Sequence, residues 1–146
     1  MNRIRGVEVF GLPVAGAVLA AMAVFVYQWM WFGSVFKVRW NLLIGLPEDQ
    51  LVIPQVWWAV AFGFILAQMF GVAHVLKRVG WPSLRSALTE VAAVAALLAA
   101  PLAAYPLLYH PDHSWERFAY EAGAFVIGWL LGAVIIWGAR RRPVRP

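Results

Sequence analysis

The chain has 146 residues, 63% of them hydrophobic and only 13% charged, with a net charge of +5 and no cysteine. A soluble domain averages about 45–50% apolar and about 25% charged residues, so an ordinary soluble fold is excluded. The missing cysteine excludes disulfides, thiolate metal sites and thiol chemistry. The basic residues sit at the ends of apolar runs, where they set topology and meet anionic headgroups, so no nucleic-acid partner is expected.

Four apolar runs are long enough to cross a bilayer, which takes roughly 20 residues at about 1.5 Å of rise each. They predict an all-α integral membrane four-helix bundle, with a short interfacial helix after the first span. The spans fall at about 11–32, 55–76, 86–109 and 118–139, and leave no separate soluble domain, so residues 1–146 form a single transmembrane domain.

The start, Met1 to Arg5 before an apolar run, mimics a signal peptide with Ala21-Met22-Ala23 as its cleavage site. The run continues to Phe32, however, well beyond the roughly 7–15 residues of a signal core, so a retained first span is expected. Pro13 falls in its first turn, where a missing N–H costs nothing. Gly16 with Ala20, and Ala17 with Ala21, give the small-xxx-small spacing that lets helices approach closely in lipid.

Residues 34–44 predict the interfacial helix, with Ser34 as its N-cap. Ser34, Lys37, Asn41 and Gly45 form one polar stripe, and Val35, Phe36, Trp40, Leu43 and Ile44 cover the other side. Trp29, Trp31 and Trp40 serve as interface anchors, because an indole has an apolar body and a polar edge.

In span 2, Ala59, Gly63, Ala67 and Gly71 recur every four residues and predict a tight helix–helix contact on that face. His74 follows on roughly the same side, and Gln68 is placed mid-span as an interhelical hydrogen-bond donor. Lys77-Arg78-Val79-Gly80-Trp81-Pro82 ends the helix with cations, then glycine, then proline. Span 3 is alanine-rich, with Pro101 and Pro106 expected to kink it or end it early. In span 4, Ala124, Gly128 and Gly132 form another small stripe.

Nine of the twelve Lys/Arg lie at the N-terminus, the 77–85 loop and the C-terminus. The other side holds Lys37, Arg39 and Arg117. By the positive-inside rule both termini are cytoplasmic, and residues 33–54 and 110–117 face outward.

Trp31-Phe32-Gly33, followed by Phe36, Trp40 and Gly45, resembles the W-(Y/F)-G-x-x-F-G-x-x-W-x-x-x-x-G segment of a family of small bacterial four-helix membrane proteins. That family is classed as a domain of unknown function. The likeness takes in the four-span layout and the glycine-rich last helix, Gly123 to Trp137. Lys37 stands where the family has its second glycine, and the outer turn at 46–54 is not obviously shared. The resemblance implies the fold and a bacterial inner-membrane location, and carries no activity.

Among polar groups, Glu90 lies about one and a half turns into span 3, and an antiparallel neighbour brings His74 to similar depth. Such a pair can relay protons, since ionisable groups in a span are costly and usually face a partner or water. The plainer reading has Glu90 snorkelling or pairing with Arg85, and His74 capping a helix end. His110, Asp112, His113 and Glu116 form an outer polar cluster with Glu121. His-x-x-His beside carboxylates can bind Zn²⁺, but Pro111 breaks the helix that would align the two imidazoles, so a solvated loop without metal is expected. Glu121 falls on the small face of span 4, within reach of Tyr27, Gln28, Tyr105 or Tyr109. A lone His74 behind small residues is a poor haem ligand without a second one, and no cofactor is expected.

The small stripes on three helices point to a non-enzymatic membrane protein, an accessory or self-associating subunit. Its partners would be the lipid bilayer and either a second copy or another membrane protein. The alternatives are a small oligomeric transporter or channel with Glu90 and His74 on its path, and a membrane enzyme or cofactor carrier using the 110–116 loop or His74.

Overall fold

A computed structural model describes residues 8–9, 12–45, 55–81, 83–109 and 113–140. Its helices are α1 (Val14–Met30), α2 (Lys37–Ile44), α3 (Gln55–Arg78), α4 (Leu84–Val94), α5 (Ala100–Tyr109) and α6 (Trp115–Arg140). Two segments that the sequence did not suggest precede α1: β1 (Glu8–Val9) and β2 (Leu12–Pro13) pair antiparallel. Pro13 therefore stands just before the helix rather than inside its first turn. Four stretches are long and apolar enough to cross a membrane: Val14–Val35, Gln55–Arg78, Leu84–Leu107 and Trp115–Arg140. The chain is thus an all-α multi-pass membrane bundle. Helices suit that setting because each satisfies its own backbone hydrogen bonds, which lipid cannot do.

α6 sits at the centre, packed against α1, α3, α4 and α5. The helices meet by fitting small faces to large side chains. Gly16, Ala17, Ala20 and Ala21 of α1 are buried, as are Ala124, Gly128, Gly132 and Ala133 of α6. Into the space they leave go Val24 from α1, Met69 and Leu76 from α3, and Ile136 from α6, all fully buried. Hydrophobic burial cannot hold helices together in lipid, so this fit and the hydrogen bond from Trp129 Nε1 to Gln68 Oε1 (3.0 Å) do the work.

α1 does not stop at Met30. It widens into a π-helical turn, Trp31–Val35, and breaks at Phe36. α2 begins at Lys37, and no side chain caps it, so Ser34 is not its N-cap. It ends at Gly45, whose φ of +68° is the left-handed conformation that glycine takes without strain. At the end of α3, Trp81 N–H donates to Leu76 O (2.9 Å) and Gly80 N–H to Lys77 O (3.1 Å), the paired bonds of a Schellman ending. Trp81 itself holds φ +56°, an uncommon position for a bulky residue. The Arg140 guanidinium lies 4.3 Å from the centroid of its indole, so the end of α6 and the α3–α4 turn share one end of the bundle.

Ser83 Oγ accepts from Ser86 N–H (3.3 Å) and caps α4. The third span then widens into a second π turn, Ala95–Ala99. This happens immediately before Pro101, whose ring a regular α-helix would drive into the carbonyl of Leu97 four residues back. The prolines do not end the span early: α5 continues through Pro106 to Tyr109.

Candidate functional site

The end of the bundle opposite Trp81 and Arg140 gathers aromatic contacts and side-chain ion pairs. α2 folds back onto the start of α6 through three side chains. Phe36 meets Tyr120 edge-on (5.0 Å), Arg117 lies 5.7 Å from the Trp40 ring, and Arg39 pairs with Glu116 through both guanidinium and carboxylate arms. The pairing with Glu116, by hydrogen bond first and charge second, raises the Arg39 pKa above its ordinary value. Both groups remain largely exposed, so solvent and salt screen their attraction. Glu116→Gln is expected to leave thermal stability nearly unchanged at moderate salt. A large drop that persists at high salt would mean that this pair, rather than the aromatic contacts, holds α2 in place.

The interface anchors divide. Trp29 is half exposed, with its indole over Gly33. Trp31 and Trp40 instead pack inward, Trp31 between Tyr27 (5.7 Å) and Phe36 (4.5 Å), and Trp40 on Phe32 (4.6 Å). Of the polar stripe, Ser34, Lys37 and Gly45 are exposed, but Asn41 is only 5% exposed, and the apolar Val35, Val38 and Leu42 are exposed too. Periodicity identified a face of α2, but its docking through Phe36 and Trp40 carries Asn41 inward.

Of the outer polar cluster, His113 and Glu121 come together, with Nε2 and Oε2 3.5 Å apart, and Arg117 Nε donates to Glu121 Oε1 (3.1 Å). Neither Tyr27 Oη nor Gln28 Nε2 has a hydrogen-bond partner among the described residues, so Glu121 bonds neither. Glu116 pairs with Arg39 instead of joining them, and His110 and Asp112 lie outside the described residues. Among the described residues no group of three metal-ligating side chains assembles. The described residues supply no hydrogen-bond partner to the buried Tyr27 Oη, Gln28 Nε2, Trp31 Nε1 and Asn41 Nδ2, nor to either His113 ring nitrogen. Sequence reasoning missed Asn41 as a site residue; its only signal was an amide among the aromatics of the 31–45 motif.

His74 and Glu90 do not meet. His74 Nε2 accepts from Arg78 Nε (3.3 Å), one turn along its own helix. Both residues are exposed, Glu90 because Ala87 and Val91 take the inward face of α4. The stripe in span 2 is corrected in the same way. Ala59, Gly63, Ala67 and Gly71 are all exposed, and a Cβ added at Gly63 or Gly71 would meet nothing within 4 Å. Ile65, Met69, Val72 and Leu76 take the core side of α3, so the stripe, with His74 on it, points away from the bundle. Ala67 and Gly71 instead help line a groove of about 410 Å³ between α3 and α4, walled by Phe64 and Leu98.

Comparison with family models, curated proteins and solved structures finds no match.

Proposed function

We propose that this chain is a non-enzymatic integral membrane protein that works by associating with other membrane helices, as a self-associating or accessory subunit. The observation that carries the reading is the outward stripe of Ala59, Gly63, Ala67 and Gly71. Facing lipid makes no demand for glycine, and glycine in a helix costs about 1 kcal/mol relative to alanine. Small residues every four positions instead allow the backbone of a second helix to approach closely. The groove beside Ala67 and Gly71 offers such a helix a seat. The exposed, separated positions of His74 and Glu90 favour association over a path through the bundle.

The membrane would be the bacterial inner one, as the likeness of the 31–45 segment implies. Both termini would be cytoplasmic, because Arg78, Arg85 and Arg140 gather at the Trp81 end of the bundle.

Because the chain has no cysteine, single introduced cysteines report contacts cleanly. In native membranes, Ala67→Cys is expected to yield an oxidised dimer, while Leu19→Cys on exposed α1 stays monomeric. Equal crosslinking at both positions, or none at Ala67→Cys with no other membrane protein captured there, would overturn the reading.

A further inference from the structure

The outer end of the seam between α1 and α3 holds a cavity of about 370 Å³, bounded by Gln28, Phe32, Trp40, Asn41, Trp58 and Ile65 among others. That lies within the roughly 300–1,000 Å³ of small-molecule sites. A second, apolar hollow of about 310 Å³ runs between Phe25, Val26, Trp29 and Trp58. Phe25, Trp29 and Trp58 line both, so the two hollows adjoin. The chamber lies beside α2 and reaches Ile65 on α3, and the groove lies next to it between Val26 and Trp58.

Two amides line the chamber. Asn41 is 95% buried by its 5% exposure, and neither its Nδ2 nor Gln28 Nε2 has an acceptor among the described residues. A buried amide without a partner costs free energy, and leucine at either position would avoid that cost. Both amides are neutral donors, which suits a neutral acceptor such as a carbonyl. Among the described residues that line it the only cation is Lys37, a point charge that can also donate to a carbonyl and lacks the planar fork with which arginine grips a phosphate. The walls beside them are flat rings, Phe32 and Trp40 packed at 4.6 Å, with Trp29 and Trp58 flanking the opening. Trp29 and Trp58 are themselves 53% and 38% exposed, so the groove is accessible from the lipid side.

We propose that this recess binds a lipid-soluble molecule of the quinone class. The flat ring occupies the chamber, its carbonyl oxygens accept from Asn41 and Gln28, and its apolar tail lies in the groove past Phe25 and Val26. The assignment does not depend on α3 association.

The test is titration of the full chain in detergent micelles with decylubiquinone, read by quenching of tryptophan fluorescence. Saturable quenching is expected in the native chain. It should weaken about tenfold in Asn41→Leu, the loss of one hydrogen bond in a dry site. Ala61→Phe, which fills the cavity from α3 without touching α2, should abolish it. Decylbenzene, which has the tail and a ring but no carbonyl, should not compete. Quenching that rises linearly without saturation, or is equal in all three chains, would overturn the proposal. So would competition by decylbenzene, which would make the recess a generic apolar groove. Competition by phosphatidylglycerol at equal concentration would assign the recess to a phospholipid instead, and would also overturn it.

Discussion

Gly132→Ala is expected to destabilise the bundle by about 1–3 kcal/mol, the usual range for forcing an extra methyl into a filled core. The added Cβ would overlap Met69 Sδ and lie 3.1 Å from Met69 Cε, with Val24 Cγ2 3.7 Å away. A thioether is flexible and can swing aside. Met69 is fully buried, though, so any new rotamer must displace another core atom. Helix propensity pulls the other way, since alanine is better than glycine by about 1 kcal/mol. The overlap outweighs that gain. Gly71→Ala separates the two effects: nothing lies within 4 Å of its added Cβ, so monomer stability should hold or rise slightly. Thermal unfolding in detergent, followed by circular dichroism, measures both variants. In a Met69→Ala background the Gly132→Ala penalty should vanish, because the colliding atoms are gone. A penalty of the same size in both backgrounds would show that the Met69 fit is not its cause.

How much of this was legible in the sequence depends on the kind of signal. The four spans announce themselves, because crossing a bilayer needs a long apolar run and only charges at the ends interrupt it. The small stripes were also legible as spacing, but their facing was not. The stripes of α1 and α6 turn inward, while the one on α3 turns outward, since α3 delivers Met69 and Leu76 to the core. Which face of a helix must house its large side chains is a property of the neighbours, and periodicity along one helix does not report it. Asn41 shows the same limit on a shorter element: its stripe was visible, but not that Asn41 alone would be buried while Ser34, Lys37 and Gly45 stay exposed. The Arg39–Glu116 pair joins residues 77 apart, and no local pattern links them. Pro101 was a visible irregularity, yet its effect appears upstream of it, in the π turn at Ala95–Ala99, because proline's clash is with the carbonyl behind it.

The double substitution Gly63→Leu with Gly71→Leu tests the outward face of α3 most severely, because it is expected to move folding and association in opposite directions. Neither glycine has an atom within 4 Å of an added Cβ, and both are exposed. Leucine is the better helix former by most of a kcal/mol at each site, so the isolated bundle should fold at least as well as before. Association should fail. Two leucines, two turns apart on the same stripe, hold an approaching backbone away over the length where close packing supplies the attraction, and lipid tails solvate leucine as well as any protein partner does. A dimer that loses its close approach should dissociate by about tenfold or more, roughly 1.4 kcal/mol or beyond. The measurement is the monomer–dimer equilibrium in detergent or bilayers by single-molecule photobleaching or Förster transfer, with thermal unfolding run alongside on the same samples. Loss of dimer with a steady or raised melting temperature is the expected result. An unchanged dimer fraction would mean that the stripe faces only lipid. A lowered melting temperature together with lost dimer would mean that α3 packs through this stripe within its own bundle, against the arrangement described above.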